Sequence, residues 1–278
     1  MQLYDRTSIK ISKVVTTSYS TSFSMATSML DKNHRDAIYA IYGFVRFADE
    51  IVDTFHDFRK KELLDKFESD LQDALKQGIS LNPILQSFQI VVKKYNIPYQ
   101  YIDAFLTSMK YDLDKKHYEN KSEADAYIYG SADVVGLMCL RVFTDGDETR
   151  FNELKIPAMK LGSAFQKVNF LRDMKKDTEE LGRIYFPNLV KDDFNEVGKQ
   201  KIIAEIEADF HEAFRGIKQL PKSTKIAVLS AYYYYRELLL KIKNTPAEKI
   251  MNSRVRISNF KKINLLVKAT VLCKLNMV

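Results

Sequence analysis

Two stretches of the chain place polar side chains where chemistry can be done. In YGFVRFADEIVD, Tyr42, Arg46, Asp49 and Asp53 fall at offsets 0, 4, 7 and 11, and in QKVNFLRDMKKD, Gln166, Asn169, Asp173 and Asp177 fall at 0, 3, 7 and 11. Either spacing sets four polar groups along one stripe of a helix. The neighbours Phe44, Val45, Ile51 and Val52, and Phe165, Val168, Phe170 and Leu171, are apolar, so neither helix reads as a freely solvated one. Carboxylates four residues apart stand ~5–6 Å from each other and oppose helix formation when exposed, more so when partly buried. A hard divalent cation reverses that sign: Mg²⁺ takes oxygen ligands, typically one or two carboxylates plus phosphate oxygens of a substrate. Two such helices face to face would hold several ions and, through them, a diphosphate. Arg46 and Arg172 lie within the same stretches and suit bidentate contact with phosphate.

The elements that must carry these stripes are helices. Residues 34–55 place Ile38, Ile41, Val45, Ala48, Val52 and Phe55 at steps of three and four. Residues 59–78 read as a more exposed helix with Gly78 as its C-cap, and 80–98 as a short helix with a proline near each end. Helical periodicity continues over 99–118, 122–143, 148–180, 196–217 and 222–244, and a loop with Pro187 follows the 148–180 block. Glycine (9) and proline (6) are too scarce in 278 residues for a body built of many tight turns, and 46% hydrophobic content suffices for a substantial core. One all-α domain over 1–278 is expected.

Composition narrows the function. Cys139 and Cys273 follow no metal spacing and read as core thiols in a reducing compartment. His34, His56, His117 and His211 are scattered and read as surface residues rather than ligands. The N-terminal MQLYDRTSIKISK lacks the apolar run of a signal peptide, and no uninterrupted apolar run reaches the ~18 residues of a spanning helix. From residue 241 onward there are nine Lys or Arg and one acid, a net +8 in a chain of net +7, so the body sums to −1. A body without excess positive charge or a recognition motif argues against nucleic acid as a partner. The basic tail, about 241–278, interleaves apolar residues; it reads either as a peripheral contact with an anionic membrane or as a basic helix packed on the body. The expected location is the cytoplasm, or the inner face of the plasma membrane.

The second stripe lies in LGSAFQKVNFLRDMKKDTEELGRIYFP (161–187), which resembles the second aspartate-rich signature of the squalene/phytoene synthase family. YAIYGFVRFADEIVD (39–53) resembles that family's first aspartate-rich motif, YIYGSADVVG (127–136) its central tyrosine signature, and TTSYSTSFS (16–24) its N-terminal segment. The resemblance runs in order from about residue 14 to 245, and within the family it is most similar to the bacterial phytoene synthases. It implies an all-α isoprenoid synthase fold around a central cavity. The implied reaction is head-to-head condensation of two prenyl diphosphates through a cyclopropylcarbinyl diphosphate, with Mg²⁺ or Mn²⁺. For phytoene formation from geranylgeranyl diphosphate no NADPH is expected. Carried onto this sequence, Asp49, Asp53, Asp173 and Asp177 become metal ligands, with Asn169 adding an oxygen. Gln166, Arg46 and Arg172 contact the diphosphate or order the metals. Tyr42, Tyr129 and Tyr235 line the cavity where cations form, and Phe23 and Phe170 border the prenyl chains.

Three positions depart from the family pattern. Asp133 stands where a small residue is usual, and Lys176 where an acid commonly precedes the last aspartate. Thr21 stands where some relatives have a basic residue that meets diphosphate, which leaves Arg183 and nearby lysines for that task. Squalene or dehydrosqualene synthases, which take farnesyl diphosphate, share all these motifs. A non-catalytic scaffold would have no reason to keep both carboxylate pairs.

Overall fold

A computed structural model describes residues 1–186 and 194–278. Pro187 therefore lies outside the described residues. The helices are α1 (Gln2–Tyr19), α2 (Thr21–Thr27), α3 (Lys32–Asp53), α4 (Lys60–Gln77), α5 (Pro83–Lys94), α6 (Tyr99–Asp114), α7 (Lys121–Ile128), a π turn (Tyr129–Asp133), α8 (Val134–Phe143), α9 (Glu148–Glu179), α10 (Glu196–Ile217), α11 (Lys222–Lys243), α12 (Ala247–Asn252) and α13 (Asn259–Lys274). No strand occurs among the described residues; a single bridge pairs His117 with Ile184.

Local chemistry sets the boundaries. Asp31 caps α3 by accepting from the amides of Asn33 and His34, and Asn82 caps α5 just before Pro83. Gly78 ends α4 at φ 80°, a left-handed conformation that glycine adopts without strain. His34, expected at the surface, is buried instead: one ring nitrogen meets Asp31 and the other meets Asp145, 3.1 Å away.

Two apolar cores share one long helix. The first gathers α3 to α6, α8 and the start of α9 around Phe44, Phe88 and Phe105. The second gathers the rest of α9 with α10, α11 and the C-terminal segment around Phe210, Leu229 and Leu238. Helix α9 contacts α8, the π turn, α10, α11 and α12, so its 32 residues belong to both. Residues 121–143 form a stretch long and apolar enough to cross a membrane by length and composition, yet they pack against α3, α6 and α9, with Val134 to Val142 in the first core and Ala124, Tyr127 and Ile128 in a smaller cluster around Tyr185.

Helix α1 escapes apolar periodicity because its inward stripe is Ser8, Ser12 and Thr16, all fully buried. Small hydroxyls let it approach α3 and α5 closely. Ser12 Oγ lies 2.7 Å from Ser87 Oγ, and a Cβ added at Gly43 would come within 2.8 Å of that same oxygen. A tighter contact holds α9 to the π turn, where a Cβ at Gly162 would lie 2.7 Å from the carbonyl oxygen of Ala132. Backbone cannot yield as a flexible side chain does, so Gly162→Ala should destabilise the fold by about 1–3 kcal/mol, measured by denaturant unfolding.

Candidate active site

An apolar cavity of about 290 Å³ lies between the two cores. Its wall is drawn from α2, α3, α8, α9, α10 and α11. Small residues such as Ala158, Gly162 and Gly216 leave the space, and among the described residues no charged side chain lines it. Four residues that the motifs singled out, Phe23, Tyr42, Gln166 and Tyr235, do line it. The three aromatic ones are stacked, two on each other and one on Phe165. The rings of Phe23 and Tyr42 lie 4.8 Å apart, and Tyr235 stacks on Phe165 at 3.9 Å. Burial pushes the Tyr42 hydroxyl up to about 12, which keeps it neutral. Gln166 Nε2 reaches Ser131 Oγ of the π turn at 3.4 Å.

The acidic stripes occupy the C-terminal portions of α3 and α9, and their charges act on one another. Burial raises Asp49 to about 8, with the Asp53 charge adding to it. Burial likewise raises Asp177 to about 7, helped by Asp173 on its own helix and Asp53 on the other. Arg183 ties the two helices together. Its backbone amide donates to the Asp177 carbonyl oxygen at 2.7 Å, while its side chain donates to Asp53 Oδ1 at 2.8 Å and to the Asp112 carbonyl oxygen at 2.7 Å. Asp173 is held by two guanidiniums, that of Arg172 beside it and that of Arg254, whose Nε is 2.6 Å from Oδ1. Arg46 pairs with Glu50 and stands 3.8 Å from Asp49.

Some residues stand elsewhere than the motifs suggested. Phe170 does not border the cavity. It stacks on Tyr185 at 4.0 Å within an aromatic cluster that also holds Tyr118 and Tyr127. Tyr129, half-buried in the π turn, packs against the first core rather than lining the cavity. Arg183 is turned inward beneath Asp53 rather than standing free at the mouth. Asp133 is buried and accepts from Ser163 at 2.6 Å, so the extra acid joins the π turn to α9. Lys176 is exposed, and its charge opposes the rise of Asp177. Cys139 lines the cavity and Cys273 is buried in the second core.

Asp112 and Arg254 also belong to the site, though neither carries a motif. Asp112 lies on α6, buried, accepting from Tyr127 at 2.9 Å, and burial raises it to about 7. A lone YDLD in an apolar helix gives no signal of this. Arg254 follows α12 in a basic segment, where nothing local distinguishes it from its neighbours.

These residues fit a divalent cation. The Asn169 Oδ1 atom is buried with no hydrogen-bond partner among the described residues, so its lone pairs are available. Among the described residues no three acidic, His or Cys side chains converge on one point. Any ion would thus be held by few protein oxygens, leaving positions for phosphate, which is how Mg²⁺ is usually bound.

A profile of the squalene/phytoene synthase family matches residues 16–261. The chain belongs to the squalene/phytoene synthase family. Members of that family are prenyltransferase-type isoprenoid synthases that bind prenyl diphosphates. Chloroplastic phytoene synthase from an Oncidium hybrid cultivar is 28% identical over 266 residues, which is 88% of this chain and 63% of that protein. Phytoene synthase 2 of Oryza sativa subsp. japonica is 28% identical over 240 residues, 80% of this chain and 60% of that protein. The chain thus spans somewhat over half the length of these curated relatives. Among solved structures, a dehydrosqualene synthase in complex with ligand superposes with a TM-score of 0.81 at 24% identity, covering 98% of each chain. A squalene synthase from Alicyclobacillus acidocaldarius gives 0.76 at 20% identity over 91% of this chain and 97% of that one. They establish the isoprenoid synthase fold for this chain.

The raised carboxyls predict an inverse pH dependence. An unfolded aspartate titrates near 3.9, so between about pH 4 and 8 the folded, metal-free protein holds protons that the unfolded chain has released. The stability Asp49 and Asp177 contribute is fully present below pH 4 and is lost as pH rises through 7 and 8. The melting temperature of metal-free protein should fall from pH 6 to pH 9, and Asp49→Asn should flatten part of that fall and melt higher at pH 9. A parallel fall in both proteins would show that Asp49 is already ionised at pH 6.

Proposed function

We propose that this chain condenses two geranylgeranyl diphosphates head to head, through prephytoene diphosphate, to phytoene. The observation that carries the reading is the confrontation of two carboxylate pairs, from α3 and α9, beside a cavity walled by apolar and aromatic side chains. The phytoene synthase names of the sequence relatives support the longer substrate.

Asp49, Asp53, Asn169, Asp173 and Asp177 would hold Mg²⁺ or Mn²⁺. Ions bound there neutralise the departing diphosphate. The protein's own groups do the rest. Arg46 and Arg172, already committed to carboxylates, can turn part of their donor sets to phosphate oxygens as those carboxylates turn to metal. The cavity wall excludes water, the nucleophile that would intercept an allylic cation. Phe23, Tyr42, Phe165 and Tyr235 offer electron-rich ring faces that stabilise positive charge without attacking it. With its hydroxyl neutral near physiological pH, Tyr42 serves as such a face and not as a base. Gln166, anchored on Ser131, fixes the wall where the stripe of α9 enters the cavity.

Incubation with Mg²⁺ and geranylgeranyl diphosphate, without NADPH, should yield a C40 hydrocarbon. Turnover of farnesyl diphosphate alone would replace the phytoene reading with a dehydrosqualene or squalene one. Asp173→Asn should lower kcat by roughly 10²–10³, the scale seen when one group that stabilises developing charge is removed. It should also abolish most of the rise in melting temperature produced by Mg²⁺ plus pyrophosphate; an undiminished rise would place the ions elsewhere.

A further inference from the structure

Helix α13 is apolar on two opposite sides. Leu265, Ala269 and Cys273 are buried, and the helix lies against α11. At 100° per residue, Phe260, Ile263, Val267, Val271 and Leu275 form a second stripe on the reverse side. Those five are 75%, 49%, 54%, 46% and 63% exposed among the described residues. Lys268 and Lys261, the latter paired with Glu237 at 3.0 Å, run along one edge of the stripe, and the exposed Lys274 and Asn264 fall within it. A helix whose solvent side carries aromatic and branched residues in register, flanked by lysines, has the pattern of one lying in a membrane interface.

We infer that this face of α13 docks on an anionic bilayer. Charge selects that occupant. The segment from residue 241 onward carries net +8 with Glu248 its only acid, which is drawn to an anionic surface. A second copy of the chain joined through the same face would set lysine edge against lysine edge across a two-fold axis. The placement of α13 also gives the docking a use. Lys262 Nζ lies 3.0 Å from Thr21 Oγ1 on α2, the helix whose Phe23 walls the cavity. That contact leaves from the packed side of α13, so docking would set α13 between the bilayer and α2, one helix from the cavity wall. On the functional reading above, the product is a hydrocarbon that water cannot accept, and this position lets it pass into lipid. The docking itself does not depend on that reading.

The test is co-sedimentation of the full chain with vesicles of phosphatidylcholine alone or mixed with phosphatidylglycerol. The wild-type protein should pellet with the anionic vesicles, weakly with the neutral ones, and less as salt is raised. Val267→Glu/Val271→Glu changes exposed residues only, so melting temperature should hold while binding falls about tenfold or more. Lys261→Gln/Lys268→Gln/Lys274→Gln should lose a comparable factor. The inference is overturned if the wild type stays in solution with anionic vesicles, or if the Glu pair pellets as the wild type does. It is equally overturned if the wild type is a dimer that the Glu pair converts to monomer, since the face would then join two copies. None of these readouts involves turnover, so failure of the prenyl-condensing assignment would leave them unchanged.

Discussion

Like charges brought together govern this molecule. Asp49 and Asp53 on α3 and Asp173 and Asp177 on α9 are drawn towards one site; burial is the main force raising Asp49 and Asp177, and the neighbouring carboxylates, Asp53 for Asp49 and Asp173 and Asp53 for Asp177, add to it. Such an arrangement persists only when the surrounding structure holds it. The restraint is visible in Arg183, whose backbone is bonded to one helix and whose side chain is bonded to the other, and in the Arg172 and Arg254 guanidiniums around Asp173. Beneath Arg183 lie Asp112 and the stacked rings of Tyr185, Phe170, Tyr127 and Tyr118. Aromatic side chains that carry a family motif thus support the acidic helices from below instead of facing the cavity.

The cavity follows from the same economy of contacts. Helix α9 belongs to both cores, and where it passes between them small residues replace large ones. Gly162 meets the backbone of the π turn, and Gly216 of α10 meets Pro157 so closely that a Cβ there would fall 2.3 Å from the proline's own Cβ. Close backbone approach at these two points leaves the rest of the gap open, and the gap is the cavity. The π turn fits the picture, because inserting a residue into a helix re-aims the side chains that follow. Here it puts Ser131 and Ala132 on the cavity wall and turns Asp133 back towards Ser163.

Much of this was legible before any coordinates. The carboxylate stripes declare themselves because α3 and α9 are long, regular and apolar around them, and the main helices follow from 3.6-residue periodicity and capping residues. What stayed hidden depends on contacts distant in sequence. Helix α1 buries hydroxyls, which carry no apolar signal. The turn inside 121–143 leaves hydropathy unchanged, so a single helix was the natural reading. The inward direction of Arg183, which reaches Asp112 on α6, and the isolation of Phe170 from the cavity depend on how α9 meets α7 and the π turn, which spacing alone does not encode. The tail was ambiguous between a packed helix and a membrane contact; α13 packs by one face and leaves the other bare.

The contact between Thr21 and Lys262 spans 241 positions of sequence, and that between Asp173 and Arg254 spans 81. Closing loops of that size before any contact rewards them slows folding. Arg172 meets Asp173 from the neighbouring position, whereas Arg254 reaches it only once the C-terminal segment has wrapped back. Assembly of the functional centre is therefore expected to be among the last events in folding, and folding intermediates should expose carboxylates that no partner yet meets.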